Sequence, residues 1–410
     1  MCLNVIIERG GTRIPVKGGR VLVYIRRALF LVLKITCVLI VIGFVVTAVT
    51  PQGRVAIRTL LFVPQILPAI PIKPQEWVTR DPVWQSIQFP TKHGYGSADL
   101  ISPARGNNHS AVLFFLGVVV DHPRDDPRVI ALAEGLARSG MVVMIPWSRT
   151  QLQQRIAIED IEDLVWAFEY LTGIETVDPT RVGMGGICTG AAMATVAAQD
   201  ARIRDDVRFI NSFASYYDAT DFIKAISSRS RFYGEYVVPW DRDQLTYRVF
   251  RNHLLDGISN IGDRMVLDRM LIDHEQVDQA QIALLTNEGK TVYQLLQGVT
   301  YEETHDLVKQ LSPSTTEFLR AISPSTNVGD LKARVLIMHD RSDKLVPSEE
   351  SRRFADAVTD KTDTYFTEFS LFQNQIQVHV GEEADLGVWA SSKEAFKLYM
   401  HMYNIMKEVS

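Results

Sequence analysis

Cysteine is scarce: the 410 residues hold three, Cys2, Cys37 and Cys188. One is terminal and one sits inside an apolar run, so a disulfide framework is excluded as the organising device. Neither a C-x-x-C pair nor an H-E-x-x-H helix signature occurs, and no metal site is legible. Basic tracts are missing beyond the N-terminus, and the net charge is −5. That balance argues against nucleic acid as a partner. No cofactor is expected. What remains is 46% apolar and 22% charged, the composition of an ordinary globular enzyme. The length allows one large domain with insertions, or two domains.

One long apolar run is present. Residues Ala28 to Val49 read ALFLVLKITCVLIVIGFVVTAV, with Lys34 as the sole charge. This is enough to cross a bilayer as a helix, and Lys34 lies near the end where its ammonium can snorkel. Arg13, Lys17, Arg20, Arg26 and Arg27 precede the run, against the single acid Glu8. The positive-inside rule then puts residues 1–27 in the cytoplasm and the rest of the chain outside. Arg54 and Arg58 weaken that orientation. A cleaved signal peptide and a buried core helix are the competing readings. Residues 51–80 follow as a linker. In it, Pro64, Pro68 and Pro71 forbid an ordinary second spanning helix.

The rest of the chain, residues 81–410, is organised around Gly186-Ile187-Cys188-Thr189-Gly190. This is the G-x-S-x-G nucleophile elbow with cysteine in place of serine. An apolar run, Val182 to Ile187, leads into it, and the small-residue helix pattern Ala191 to Ala198 leads out. Strand, turn and helix are the context the motif needs. The glycines let strand and helix close on each other around a strained nucleophile. Cys188 then sits at a helix N-terminus, whose dipole favours a thiolate. A buried cysteine in a glycine-rich turn is the competing reading of the pentapeptide alone.

Alternating strand and helix signals surround the elbow. Strands are expected over Val83–Phe89 and Ala98–Ser102, joined by a turn at Gly94-Tyr95-Gly96. Further strands are expected at Ala111–Gly117, Met141–Pro146, Phe209–Ala214, Arg334–Met338 and Thr364–Phe372. Helical spacing marks Pro127–Arg138, Ile158–Leu171, Ser348–Ala357 and Ser391–Met406, and Asp178-Pro179-Thr180 reads as a turn. The alternation predicts an α/β class with a doubly wound, mostly parallel sheet. A helical insertion over about 218–325 interrupts it, with a helix at Arg264–Leu285 and a capping box at Ser314-x-x-Glu317. It is too long for a loop. A cap over the C-terminal edge of the sheet is expected, where such folds place their sites.

With these pieces the chain resembles the α/β-hydrolase superfamily from Val83 onward, the insertion aside. With cysteine in the elbow it looks most like the dienelactone hydrolase family, and polyhydroxyalkanoate synthases are similar in the same respect. The resemblance implies a Cys-Asp-His triad. It carries the acid onto Asp343, in His339-Asp340-x-x-Asp343-x-x-Val346-Pro347, with Asp340 as the rival. It carries the base onto His379, with His401, His339 and His305 as rivals. The order Cys188, Asp343, His379 matches the hydrolase chain order. Backbone N–H groups of Thr189 and Val118 are the expected oxyanion donors. His379 lacks the family's usual small neighbours, and the loop after Leu116 lacks the His-Gly pattern of esterases. Trp147, Ser148 and Arg149 are either substrate contacts or plain loop.

The implied activity is a membrane-anchored hydrolase cleaving an ester, lactone or thioester of an apolar acyl group. An acyltransferase or polyester-synthase-like enzyme with the same triad stays open, as does a catalytically silent scaffold. Substrate identity and oligomeric state are not legible.

Overall fold

The computed structural model describes residues 25, 28–38, 43, 49–68, 70–118, 123–370 and 388–410. Two compact units are distinguished, Met1–Arg54 and Val55–Ser410. In the first, residues 28–38 are helical. Among the described residues no helix is long and apolar enough to cross a membrane. Much of the run expected to span, including residues 39–42 and 44–48, lies outside the described residues.

Among the described residues the second unit is built on a sheet of eight strands: β1 (Val83–Thr91), β2 (Gly94–Ser102), β3 (His109–Phe115), β4 (Met141–Trp147), β5 (Val177–Ile187), β6 (Phe209–Phe213), β9 (Arg334–Asp340) and β10 (Thr364–Phe369). Their order is β1-β2-β4-β3-β5-β6-β9-β10. Only β1 against β2 and β2 against β4 are antiparallel; the other pairings are parallel. β3, β4 and β9 are buried almost without break. That explains their continuous apolar runs, because both faces of a parallel sheet are covered by helices.

The two faces have different cover. On one lie α3 (Ile158–Thr172), α4 (Thr189–Ala197) and α11 (Ser348–Thr359), sharing a core with the insertion. On the other lie α1 (Pro51–Ile66), α2 (Pro127–Arg138) and α12 (Val388–Glu408). The expected linker thus begins as a helix. α1 runs through Pro64 in its last turn and buries Phe62 completely. A Cβ at Gly135 of α2 would come within 2.9 Å of the Phe62 ring, so glycine there lets the two helices touch.

Local chemistry sets the helix ends. Asp126 caps α2 by accepting from Arg128 N, and Pro127 stands at N1, where no donor is lost. Gly140 follows with φ +99° and ends the segment. Between β6 and β9 the insertion holds α5 (Ala219–Ser228), α6 (Gln244–Asp256), α7 (Ile261–Leu271), α8 (Asn287–Gln297), α9 (Tyr301–Leu307) and α10 (Pro313–Ala321).

Several expectations need correction. Gly94-Tyr95-Gly96 is strand, not turn. Phe89 lies opposite Gly96, and a Cβ on Gly96 would sit 2.4 Å from the Phe89 ring, so the glycine makes room for an aromatic. Asp178-Pro179-Thr180 falls within β5 as an irregularity: the β3–β5 register shifts between His109 and Ala111, while Asp178 accepts from Thr180 N. The insertion also contains a hairpin, β7 (Ser230–Tyr233) with β8 (Tyr236–Pro239). The helix expected over Arg264–Leu285 ends at Leu271. The capping box is Thr300 with Glu303, not Ser314 with Glu317. α10 is instead capped by Ser312 ahead of Pro313. The last strand stops at Phe369.

His401, expected as a surface or packing residue, is completely buried on α12. Its ring nitrogens meet Thr367 Oγ1 at 3.1 Å and Asn211 Oδ1 at 2.9 Å, joining α12 to β10 and β6. Burial pushes its pKa down to about 3, with the Arg334 charge adding to the effect. The unfolded chain takes up this proton near pH 6.5, while the native state refuses it. The stability it confers is therefore present above pH 6.5 and lost as pH falls toward 3. From this residue alone, urea unfolding should show a loss of about 2 kcal/mol between pH 7 and pH 5. His401→Gln should flatten that slope.

Candidate active site

β5 ends at Ile187, and α4 begins at Thr189. Cys188 alone makes the reversal, with φ 57° and ψ −130°. A non-glycine residue there is strained, and such strain persists only when its surroundings hold it. The surroundings are visible. Cys188 N donates to Phe213 O at 2.9 Å, tying the bend to the end of β6. A Cβ at Gly186 would lie 2.6 Å from Phe115 O and 2.7 Å from Ala191 N. One at Gly190 would lie 2.4 Å from both Phe115 O and Leu116 O. Glycine at these two positions is thus a steric requirement of passing α4 over the end of β3.

Gly117 closes the third side: a Cβ there would meet Ile187 O at 2.8 Å and the Cys188 Cβ at 2.9 Å. The loop after β3 therefore presses directly on the elbow. Two further bonds fix it. The Gln151 amide, buried on the short helix Arg149–Leu152, donates to Leu116 O. Val118 N donates to Thr189 Oγ1 at 3.0 Å. So the two expected oxyanion donors come together beside Cys188, with the Val118 N–H held by the threonine hydroxyl. Thr189 opens α4, where backbone N–H groups have no intrahelical partner. Gln151 was missed from the sequence, where a glutamine among polar neighbours carries no signal.

Asp343 lies in the turn after β9, at the same edge of the sheet, with its side chain fully buried. One carboxylate oxygen accepts from Leu345 N at 2.7 Å and Val346 N at 3.1 Å. The other lies 3.4 Å from His339 Nε2. His339 is itself locked, Nδ1 against Ser351 Oγ at 2.6 Å and Nε2 against Val346 O at 3.0 Å. Asp340 turns inward at the strand end and accepts from the Ser342 N–H and hydroxyl.

The cap grips the same turn. Trp240 Nε1 donates to Asp343 O at 2.9 Å, Asp243 N to Lys344 O at 2.7 Å, and Thr246 Oγ1 to Leu345 O at 2.8 Å. Glu350 is also fully buried; it accepts from Tyr217 N and Asp218 N and pairs with Arg353. Cap entry and acid turn are thereby joined to one frame.

His379, the expected base, lies outside the described residues, as does the whole of 371–387. His305 bonds Tyr301 O at 3.0 Å and stacks edge-on against the Tyr301 ring, within the cap. Trp147 donates to Asp99 and Ser148 to Asp160, so both brace the fold. His253 of α6 was not foreseen. It faces the cavity, accepts from Ile156 N at 2.9 Å and stacks on Phe318. Burial pushes its pKa down to about 4, so it is neutral above that.

Cys188 borders a cavity of about 570 Å³, closed on one side by cap residues including Phe222, Phe250 and Leu319. Such a volume suits a small-molecule ligand. Among the described residues no cluster of side chains could hold a metal ion. A mostly parallel sheet in this strand order, with an elbow after β5 and a buried carboxylate after β9, is the α/β-hydrolase fold.

No family model matches the chain, and no curated protein matches it. Similar solved structures include the uncomplexed Pyrococcus horikoshii acylaminoacyl peptidase, 14% identical over 80% of this chain, with a TM-score of 0.44. An esterase from Pyrobaculum calidifontis is 14% identical over 88% of this chain and 93% of its own, again at 0.44. A Mycobacterium tuberculosis puromycin-hydrolyzing peptidase is 16% identical over 72%, at 0.42. The chain spans 42% of the first peptidase and 36% of the second.

If the elbow depends on absent side chains, Gly190→Ala must force strand and helix apart. Overpacking of this kind costs about 1–3 kcal/mol. Denaturant unfolding should register that loss, and Gly329→Ala, with open space around it and no positive φ, should leave both stability and the elbow's thiol reactivity unchanged.

Proposed function

We propose that the chain is a cysteine-dependent hydrolase of an ester, lactone or thioester, acting through an acyl-Cys188 intermediate. The observation that carries this is the strained bend at Cys188 opening onto a mainly apolar cavity. In this reading the Cys188 sulfur attacks the carbonyl carbon. His379 accepts the thiol proton and returns one to the leaving group, and Asp343 orients the imidazole. The resulting oxyanion takes the N–H groups of Thr189 and Val118, the latter once the Thr189 hydroxyl has turned aside. Water then attacks the thioester, with His379 as base, and releases the acid. The buried frame around Asp343 supports this: a carboxylate already fixed by two backbone donors needs no reorganisation when positive charge develops beside it.

The reading places the catalytic unit outside the cytoplasm, tethered by a helix over residues 28–50, with residues 1–27 inside. The apolar run and the flanking arginines and lysines are its support.

Turnover of a short nitrophenyl ester tests the proposal. Cys188→Ala should lower kcat by at least about 1000-fold, while Cys188→Ser keeps a weak activity. His379→Ala should cost a similar factor to Cys188→Ala, and the double variant no more than either alone, because the residues act as a unit. Full activity in Cys188→Ala would refute the mechanism. Iodoacetamide labelling at ordinary thiol rates, together with no turnover, would favour the silent scaffold.

A further inference from the structure

The cavity does not stop under the cap. Its lining belongs to both core clusters, and Cys188 packs against each. On the far side the cavity enters the layer between the sheet and α1, α2 and α12. Protein interiors are close-packed, with few voids larger than a water molecule. A lobe in that layer calls for a cause.

The strand residues show how it forms. Side chains alternate across a strand, so Val112 and Phe114 of β3, Gly183 and Gly185 of β5, and Phe209 and Phe213 of β6 share one face. β5 lies between β3 and β6. On that central strand the face carries glycine twice. The Phe209 ring fills the place over Gly183, where a Cβ would be 2.1 Å away. Gly185 borders the cavity, and a Cβ there would crowd Asn211 O at 3.2 Å, with Asn211 Cβ at 3.4 Å and Phe114 at 3.5 Å, so glycine keeps this floor low. The result is a trough with Gly185 as its floor and Phe114 and Phe213 beside it. Phe62, Leu132 and Met402 of the three helices cover it. From the level of Cys188 to that of Gly183 it runs about 16 Å along the strands.

Polarity is graded along this line. The charged lining residues, Asp126, Arg128, Asp243 and Arg248, stand at the start of α2 and around α6, at the cap end. In the trough the polar side chain is Asn211, and its oxygen is already taken by His401. An apolar void of this kind stays dry and accepts apolar ligands.

We propose that this trough is an acyl-chain site: it takes the hydrocarbon of an unbranched long-chain fatty acyl ester or thioester, with the carbonyl at Cys188 and the tail laid down the sheet toward Phe209. The assignment of the carbonyl rests on the hydrolase reading above; the hydrocarbon site does not. The tail passes between sheet and helices rather than beneath the cap. Short acyl groups leave the trough empty, and branched ones meet its walls. Each methylene added to the substrate should raise kcat/KM roughly fourfold, the value of burying one such group, until the chain reaches the Phe209 ring.

The test uses the full chain held in amphipol and separates binding from turnover. Cys188→Ala is titrated with cis-parinaric acid, a fluorescent fatty acid, and challenged with palmitate or octanoate. Binding with displacement by palmitate at far lower concentration than octanoate is expected. Val112→Phe and Leu132→Trp each fill the trough. In the otherwise wild-type chain they should keep nitrophenyl butyrate turnover within about threefold and lower nitrophenyl palmitate turnover by at least about tenfold. In the Cys188→Ala background they should weaken parinarate binding by a similar factor. Two variants guard against one that fails to fold, since butyrate turnover or an unchanged melting transition reports folding. Absence of parinarate binding, or equal binding in both filled variants, overturns the acyl-chain site even if Cys188 proves catalytic. Binding that behaves as expected while Cys188→Ala retains turnover upholds the site and defeats the catalytic reading instead.

Discussion

The rest of the structure depends on one backbone reversal. A parallel strand must end, turn at a single residue and re-enter as a helix that passes over the neighbouring strand. Cys188 bears the positive φ this demands. The turn closes because Gly186 and Gly190 leave nothing between α4 and the carbonyls of Phe115 and Leu116. The strain is held by long-range partners: the Phe213 carbonyl, the pressed loop at Gly117 and the sheet itself. A residue bent in this way is held clear of its own helix, at the edge of the sheet where β6 and β9 also end.

That edge is assembled from distant parts of the chain. The Asp343 turn arrives from β9 and is held from three directions: by its own backbone, by His339 and by Trp240, Asp243 and Thr246 of the cap. The cap is therefore more than a roof. Its hydrogen bonds to residues 343–345 link whatever moves above the cavity to the position of the carboxylate. Glu350, buried and bonded to Tyr217 and Asp218, supplies the rigid end of that link. Replacing such a buried acceptor would leave two backbone donors unpaired and take from Arg353 its nearest carboxylate, with Asp221 at 3.8 Å remaining, a costly way to break a buried network.

The sequence was most informative where local sterics rule. Continuous apolar runs located β3, β4 and β9, because burial on both faces leaves no room for alternation. Glycine spacing located the elbow, because the reversal has no other solution. The strand and polar turn that carry Asp343 were legible, and the turn follows β9 as expected. What was illegible depends on partners far along the chain. Gly94-Tyr95-Gly96 looked like a turn because nothing nearby says that Phe89 lies over Gly96. Gln151 and His253 drew no notice, since their places are set by the Leu116 carbonyl and the Ile156 amide. The trough was hidden as well. Gly183 and Gly185 fall in the expected strand, but nothing local says that an aromatic ring covers one of them and that the other borders a cavity.

The central claim is that the Cys188 sulfur becomes acylated, and trapping the intermediate tests it most directly. The full chain is mixed with a nitrophenyl ester, quenched in acid within its first turnovers and digested for mass spectrometry. The account predicts the acyl mass on the peptide carrying Cys188, removed by hydroxylamine and absent from Cys188→Ala. Turnover with that peptide unmodified, and the acyl group found on another residue or on none, would contradict it.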